Sequence, residues 1–136
     1  MATRSRIGIA DPQGNITSIY CHFDGYPSHV GRLLQTTYNT EGDAREIVSL
    51  GDLSCLDERL HPDADSPHSF QDRVPGITLA YGRDRGEENT TAVNHTDDNW
   101  PSCGAEYHYL WMSGLGWHYR EYGTSAWKLL APAISE

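Results

Sequence analysis

Two arginines separated by one residue, with a tyrosine ahead of them and glycines bracketing them, make up Tyr81-Gly82-Arg83-Asp84-Arg85-Gly86. Just past the end of a strand, side chains at i and i+2 project to the same side. Arg83 and Arg85 are therefore expected to clamp a phosphate or carboxylate between two planar guanidinium forks. Asp84 can hold one guanidinium in place. Tyr81 adds a flat face for a nucleobase, an interaction worth about 1–3 kcal/mol per base in nucleic-acid sites. Asn89 carries donor and acceptor on one amide and is the candidate for a base edge if its loop folds back. The competing reading is a solvated Arg-Asp-Arg turn that contributes little energy.

A second constellation, His22-x-Asp24-x-Tyr26, closes a strand. It reads either as a general base with a carboxylate beside it or as two metal ligands. No third ligand or nucleophile stands at a diagnostic spacing, and Cys21 points to the other face. The simpler reading has Asp24 capping the turn and His22 pairing with a strand neighbour. Tyr26 stays a candidate ligand-binding residue at this polar edge. His61, His68, His95, His108 and His118 follow neither the HExxH order nor that of the zinc deaminases. No catalytic residue, metal ligand or cofactor is predicted.

The gross composition narrows the partner class. The 136 residues, 38% hydrophobic with a mean hydropathy of -0.61, are expected to form a single domain spanning 1–136. Burial must come largely from eight Tyr, four Trp and two Phe. A net charge of -9 argues against polymeric nucleic acid, which is bound through a concentrated basic face. Nine of the ten basic residues are Arg, leaving only Lys128. That bias reflects either GC-rich coding or a preference for gripping small anions. No run reaches membrane-spanning length and no apolar segment follows the N-terminal arginines, so a cytoplasmic location is expected. Cys21, Cys55 and Cys103 are odd in number and widely spaced, which predicts three thiols.

The elements that position these residues follow from periodicity. Ser5 to Ala10 and Ile16 to Phe23 alternate around the turn 11–15 and predict a hairpin. After Asp24-Gly25, Ser28 is the expected N-cap of a helix from His29 to Tyr38, with Val30, Leu33, Leu34 and Tyr38 on one stripe. Thr40 to Asp43 starts a second helix that runs to Leu50, with Gly51 just beyond it. The segment from 52 to 73 has no readable path. Ile77 to Tyr81 alternates as a strand, 87–101 reads as one long polar connection, and EYHYLWM with WHYREYG predicts a second hairpin around Ser113 to Gly116. The last segment, TSAWKLLAPAISE, reads as a short strand or helix with a frayed end. The expected fold is α+β, an antiparallel sheet of five or six strands with two consecutive helices packed on one face.

These residues also carry a resemblance. TRSRIGI, SIYCHFDGYPSHVGRLL, SLGDLSCL, HSF and AYGRDRGEE, in this order and over most of the chain, resemble the phage anti-Thoeris signal-sequestering proteins, or sponges. The resemblance implies a non-catalytic protein that binds cyclic ADP-ribose isomers made by bacterial TIR-domain defence enzymes, and in some members cyclic oligonucleotides. It further implies a homo-oligomer, dimer or hexamer, in the infected host cell, with pockets between protomers where aromatics stack on adenine and arginines hold phosphates. These roles carry over to Tyr81, Arg83 and Arg85, and more weakly to Asn89 and to Arg120, which would complete the pocket from a partner chain. Two other classes remain: an enzyme that degrades such a signal using His22 and Asp24, and an acidic protein inhibitor of a host defence nuclease.

Overall fold

The computed structural model describes residues 2–63 and 68–134, with the backbone alone for 133 and 134. The centre of the polar loop 61–73 and the extreme C-terminus, expected to fray, lie outside the described residues. The first hairpin forms as expected. Strand β1 (Ser5–Ala10) pairs antiparallel with β2 (Ile16–Cys21), Ser5 opposite Cys21 and Ala10 opposite Ile16. Its turn is held by Asp11, whose Oδ1 accepts the amides of Gln13 and Asn15 at 2.9 Å. These bonds hold the Asp11 carboxyl below its usual range. Beyond Cys21 the backbone keeps its ladder, His22 donating to the Leu53 carbonyl and Phe23 to that of Ser54.

The helical segment that follows starts earlier than predicted. A wide turn over Pro27–Gly31 runs into α1 (Arg32–Thr36), and Tyr26 rather than Ser28 stands at the N-cap, without a side-chain cap bond. Pro27 explains this start: it sits where a missing N–H costs nothing and its φ is already helical. The apolar stripe is as expected, with Val30, Leu33, Leu34 and Tyr38 all buried. Helix α2 (Glu41–Ser49) is capped by Thr40, whose hydroxyl accepts the Asp43 amide at 3.1 Å, and Gly51 follows its end at φ +77°.

The remaining elements are β3 (Leu53–Cys55), β4 (Leu79–Ala80), α3 (Tyr81–Arg85), β5 (Val93–His95), β6 (Tyr107–Met112), β7 (Gly116–Glu121), β8 (Lys128–Leu129) and α4 (Leu130–Ile134). The class is α+β, but the sheet has eight strands and is mixed, which corrects the antiparallel five or six. Its order is β4-β3-β2-β1-β6-β7-β8, with β5 pairing on β2. Both local hairpins are antiparallel. The long-range joins β1–β6 and β2–β3 are parallel, because each follows a crossover rather than a tight turn. The 87–101 connection also contains a strand: β5 pairs along Ile16 to Ser18.

The sheet has two unlike faces. Ile7, Ile19, Tyr109, Trp111 and Trp117 pack under Val30, Leu34, Ala44 and Ile47 in one apolar core. Two of the buried aromatic tips are satisfied, Trp117 Nε1 donating to the Tyr38 carbonyl at 2.9 Å and Tyr109 OH to that of Gly25 at 2.6 Å, whereas Trp111 Nε1 and Ser5 Oγ are buried without a partner among the described residues. On the other face, the register places Tyr20, Arg6, His108 and Arg120 in one row across β2, β1, β6 and β7. All three cysteines are free thiols, Cys21 and Cys55 buried. Burial pushes the Cys21 thiol up to about 12.

Candidate functional site

The strand predicted over 77–81 is only two residues long, and Tyr81–Arg85 is a helical turn ended by Gly86 at φ +71°. This changes the geometry of the two arginines. On a helix, side chains at i and i+2 do not face each other. Arg83 turns inward, donating to the carbonyls of Leu60 at 2.6 Å and Thr78 at 2.7 Å and forming an ion pair with Asp84 at 2.9 Å. Arg85 turns outward. Its guanidinium lies 4.9 Å from the Phe70 ring centroid and 5.7 Å from that of Tyr81, pairs with Glu87 at 3.1 Å, and is 54% exposed.

Tyr81 and Phe70 are stacked, centroids 5.5 Å apart at 21°. The result is an aromatic pair with a cation laid across it. Asp84 fixes the turn from below. Its carboxylate, only 3% exposed, accepts the Ala80 amide at 2.8 Å and both Arg83 bonds, and His68 Nε2 lies 3.5 Å away. The Val74 amide donates to His68 Nδ1 at 3.0 Å, which leaves the Nε2 proton for the Thr78 carbonyl and Asp84. The expectation that Asp84 holds a guanidinium is thus met, and the guanidinium is that of Arg83.

Asn89 belongs to the same unit. The chain after α3 folds back, Glu87 donating to the Tyr81 carbonyl and Asp52 to that of Thr90 at 2.7 Å. Asn89 adopts φ +61° in this turn, a region that asparagine tolerates. Tyr81, Arg85 and Asn89 thus lie on one helix-loop unit that follows β4.

Tyr26 stands at the head of the wide turn, its OH donating to Asp24 at 3.2 Å. His22 bonds Tyr20 OH at 2.6 Å, so His22 and Asp24 each pair with a tyrosine rather than with each other. His22 thus pairs with a strand neighbour as the simpler reading has it, but Asp24 does not cap the turn: no side-chain cap bond forms there, and its carboxylate accepts from Tyr26 instead.

Arg120 is elsewhere. Its strand β7 is five strand-steps from β4, about 24 Å across the sheet. Within one chain it cannot reach Tyr81. Its side chain, 11% exposed, is held by Asp97 at 3.0 Å, with its guanidinium 4.3 Å from the Trp127 centroid and 5.8 Å from that of Trp100. Both indole N–H groups donate to the same carboxylate, Trp100 at 2.8 Å and Trp127 at 3.3 Å. Burial raises Asp97, but those bonds and the Arg120 charge outweigh it and hold the carboxyl below its usual range.

His108 lies under Trp100, rings stacked at 4.1 Å and 12°, and accepts the Arg120 Nε–H on Nδ1 at 3.4 Å. Burial first, then the charges of Arg120 and Arg6, pull His108 down to about 4. A histidine with a depressed folded pKa contributes stability that is whole above its unfolded value, about 6.5, and is lost as pH falls toward 4. The loss is on the order of 2 kcal/mol after allowance for partial solvent screening. Urea titrations of His108→Gln should show a flatter stability profile than wild type between these pH values. Parallel profiles would contradict the assignment.

Compared with protein-family models, with curated proteins and with solved structures, the chain matches none. Among the described residues no group of three or more His, Cys, Asp or Glu is placed to hold a metal ion, and no helix is long and apolar enough to cross a membrane. Sequence reasoning missed Phe70 and His68, which lie in a segment without periodicity. It also missed the Asp97, Trp100, Trp127 and His108 cluster. Two tryptophans in otherwise polar stretches were the available signal.

Proposed function

We propose that this protein binds and sequesters a cyclic nucleotide signal of the cyclic ADP-ribose type without cleaving it, as a phage anti-defence protein. The observation that carries this reading is the Phe70–Tyr81 pair with the exposed Arg85 guanidinium across it. An adenine needs an aromatic face and a pyrophosphate needs a guanidinium, and here both stand on one rigid turn. Asn89, in the turn that follows the same helix, is the candidate amide for the base edge. The resemblance in TRSRIGI, SIYCHFDGYPSHVGRLL and AYGRDRGEE supports the same function. Cyclic oligonucleotides are a second signal class that this chemistry suits.

The platform is open to solvent, and a tight site needs a second wall. A second copy of the chain in a homo-oligomer, dimer or hexamer, supplies it in this proposal. Sequestration works by stoichiometry and asks only for a Kd below the signal concentration that triggers the host effector. It needs no acid, base or metal. It acts in the cytoplasm of the infected cell.

Arg85→Ala separates ligand binding from folding, because Arg85 makes only a surface ion pair while Arg83 is bonded to two backbone carbonyls and the buried Asp84. Calorimetric titration with glycocyclic ADP-ribose isomers should show binding weakened by about 1.5–3 kcal/mol in Arg85→Ala, the range for a hydrogen bond to a charged group, with unchanged urea stability. Arg83→Ala, in contrast, should lower stability, because two backbone carbonyls and Asp84 lose their donor. Wild-type affinity in Arg85→Ala would move the phosphate contact elsewhere.

A further inference from the structure

The face of the sheet opposite the helices holds a cleft that the nucleotide platform does not use. Two adjoining cavities, of about 460 and 310 Å³, share Ala105, His108 and Tyr122 as walls. Such volumes suit a small ligand. We propose that this cleft binds an organic cation with a guanidinium or ammonium head, between the Tyr122 ring and the Glu106 carboxylate, with Trp100 and His108 as its floor.

Three observations carry this. First, the walls already hold a cation: Arg120 sits between Trp127 and Trp100 against Asp97, in the same combination of indole faces and carboxylate that a free guanidinium would meet next to it. Second, the cleft offers two free carboxylates at its rim. Asp98 and Glu106 line it, are exposed and are in no ion pair among the described residues. The nearby positive groups are Arg120, neutralised by Asp97, Arg6, buried next to His108 and donating to Ser18, and Arg4, whose Nη1 lies 2.9 Å from where a Cβ on Gly104 would stand. His108 adds no charge near neutral pH, since burial and the two arginines keep it in its neutral form.

Third, the lip is built rather than loose. Tyr122 is 85% exposed, yet its amide donates to the Glu106 carbonyl at 2.8 Å, which fixes the aromatic ring's backbone beside that carboxylate. The turn beyond it is tied down by Thr124 on the Glu121 carbonyl at 2.7 Å and by Arg120 on the Ser125 carbonyl at 3.3 Å. A large aromatic held in water beside a free carboxylate is the arrangement that cation–π recognition uses.

The test uses the intact protein with agmatine and spermidine as cations and N-butylurea as an uncharged guanidine-like control. Intrinsic fluorescence reports directly, because Trp100 lies in the cleft wall. Agmatine or spermidine should give saturable binding at about 0.15 M salt, where the screening length is roughly 8 Å and diffuse attraction is damped. N-butylurea should give none. Tyr122→Ala and Glu106→Gln, both at exposed positions, should each weaken binding by about fivefold or more, while Arg85→Ala leaves it unchanged. Absence of saturable binding, equal binding of the urea, or affinity untouched by either cleft substitution would overturn the proposal. Failure of nucleotide binding at the Arg85 platform would leave it standing.

Discussion

Replacing Asp84 by Ala is expected to destabilise the protein by about 3 kcal/mol or more, the range seen when one partner of a buried charge pair is removed. The reason lies in what the carboxylate serves. It is 3% exposed and accepts from the Ala80 amide and twice from Arg83, with His68, fully buried, 3.5 Å away. Without it the Arg83 guanidinium keeps its two carbonyl acceptors but loses its counter-charge, and the Ala80 amide is left without its partner. Asp84→Asn keeps an acceptor for that amide and should cost less. Because α3 carries Tyr81 and Arg85, the Ala variant should also lose nucleotide affinity that Arg83 itself does not contact. Urea unfolding checks the first effect, and a change below about 1 kcal/mol would mean the network is not what holds the turn.

Gly51→Ala is expected to be comparably damaging, on the order of 3 kcal/mol, from two separable causes. At φ +77° an alanine is strained in the left-handed region, which costs roughly 1–2 kcal/mol. In addition, its Cβ would stand 2.3 Å from the Thr90 carbonyl oxygen, so the Asn89 loop must move away. That movement breaks the 2.7 Å bond from the Asp52 amide to Thr90. Gly76→Ala is the control: φ is +82°, but nothing lies within 4 Å of the added methyl. The difference between the two variants in thermal or urea unfolding isolates the close approach. Equal effects would show that backbone strain alone accounts for both.

The residues that were legible in the sequence acted through near neighbours. Asp11 to Asn15 closes a turn between alternating strands, and Thr40 with Gly51 brackets α2, so both elements form where the pattern predicts. The β1–β6 pairing was not legible, because nothing in SRIGIA says whether Tyr107 will run beside Ser5 or against it. Parallel and antiparallel pairs ask for the same side chains. The turn at 81–85 was misjudged for a different reason. Its alternation continued the strand pattern as far as Tyr81, while Gly86 after two arginines is also a helix-stop signal, and the structure follows the latter.

That one change of backbone decides the candidate site. A strand would have put Arg83 and Arg85 side by side, whereas the helical turn gives one to the interior and one to solvent. Phe70 then replaces Arg83 as the third member of the platform, a contact no periodicity could announce. Arg120 was singled out as an arginine in an aromatic strand and lies in β7. Its neighbours Trp100 and Trp127 come from segments distant in sequence, which only the folded chain brings together.

Sequestration is tested most directly by what the protein releases. Purified protein is incubated with glycocyclic ADP-ribose isomers and cyclic oligonucleotides, freed of unbound ligand by filtration, and heated, and the released species are identified by mass spectrometry. The account predicts an intact cyclic nucleotide, retained by wild type and reduced in Arg85→Ala. A linear or hydrolysed product would make the protein an enzyme, and no nucleotide at all would contradict the binding function and favour the acidic inhibitor of a host protein.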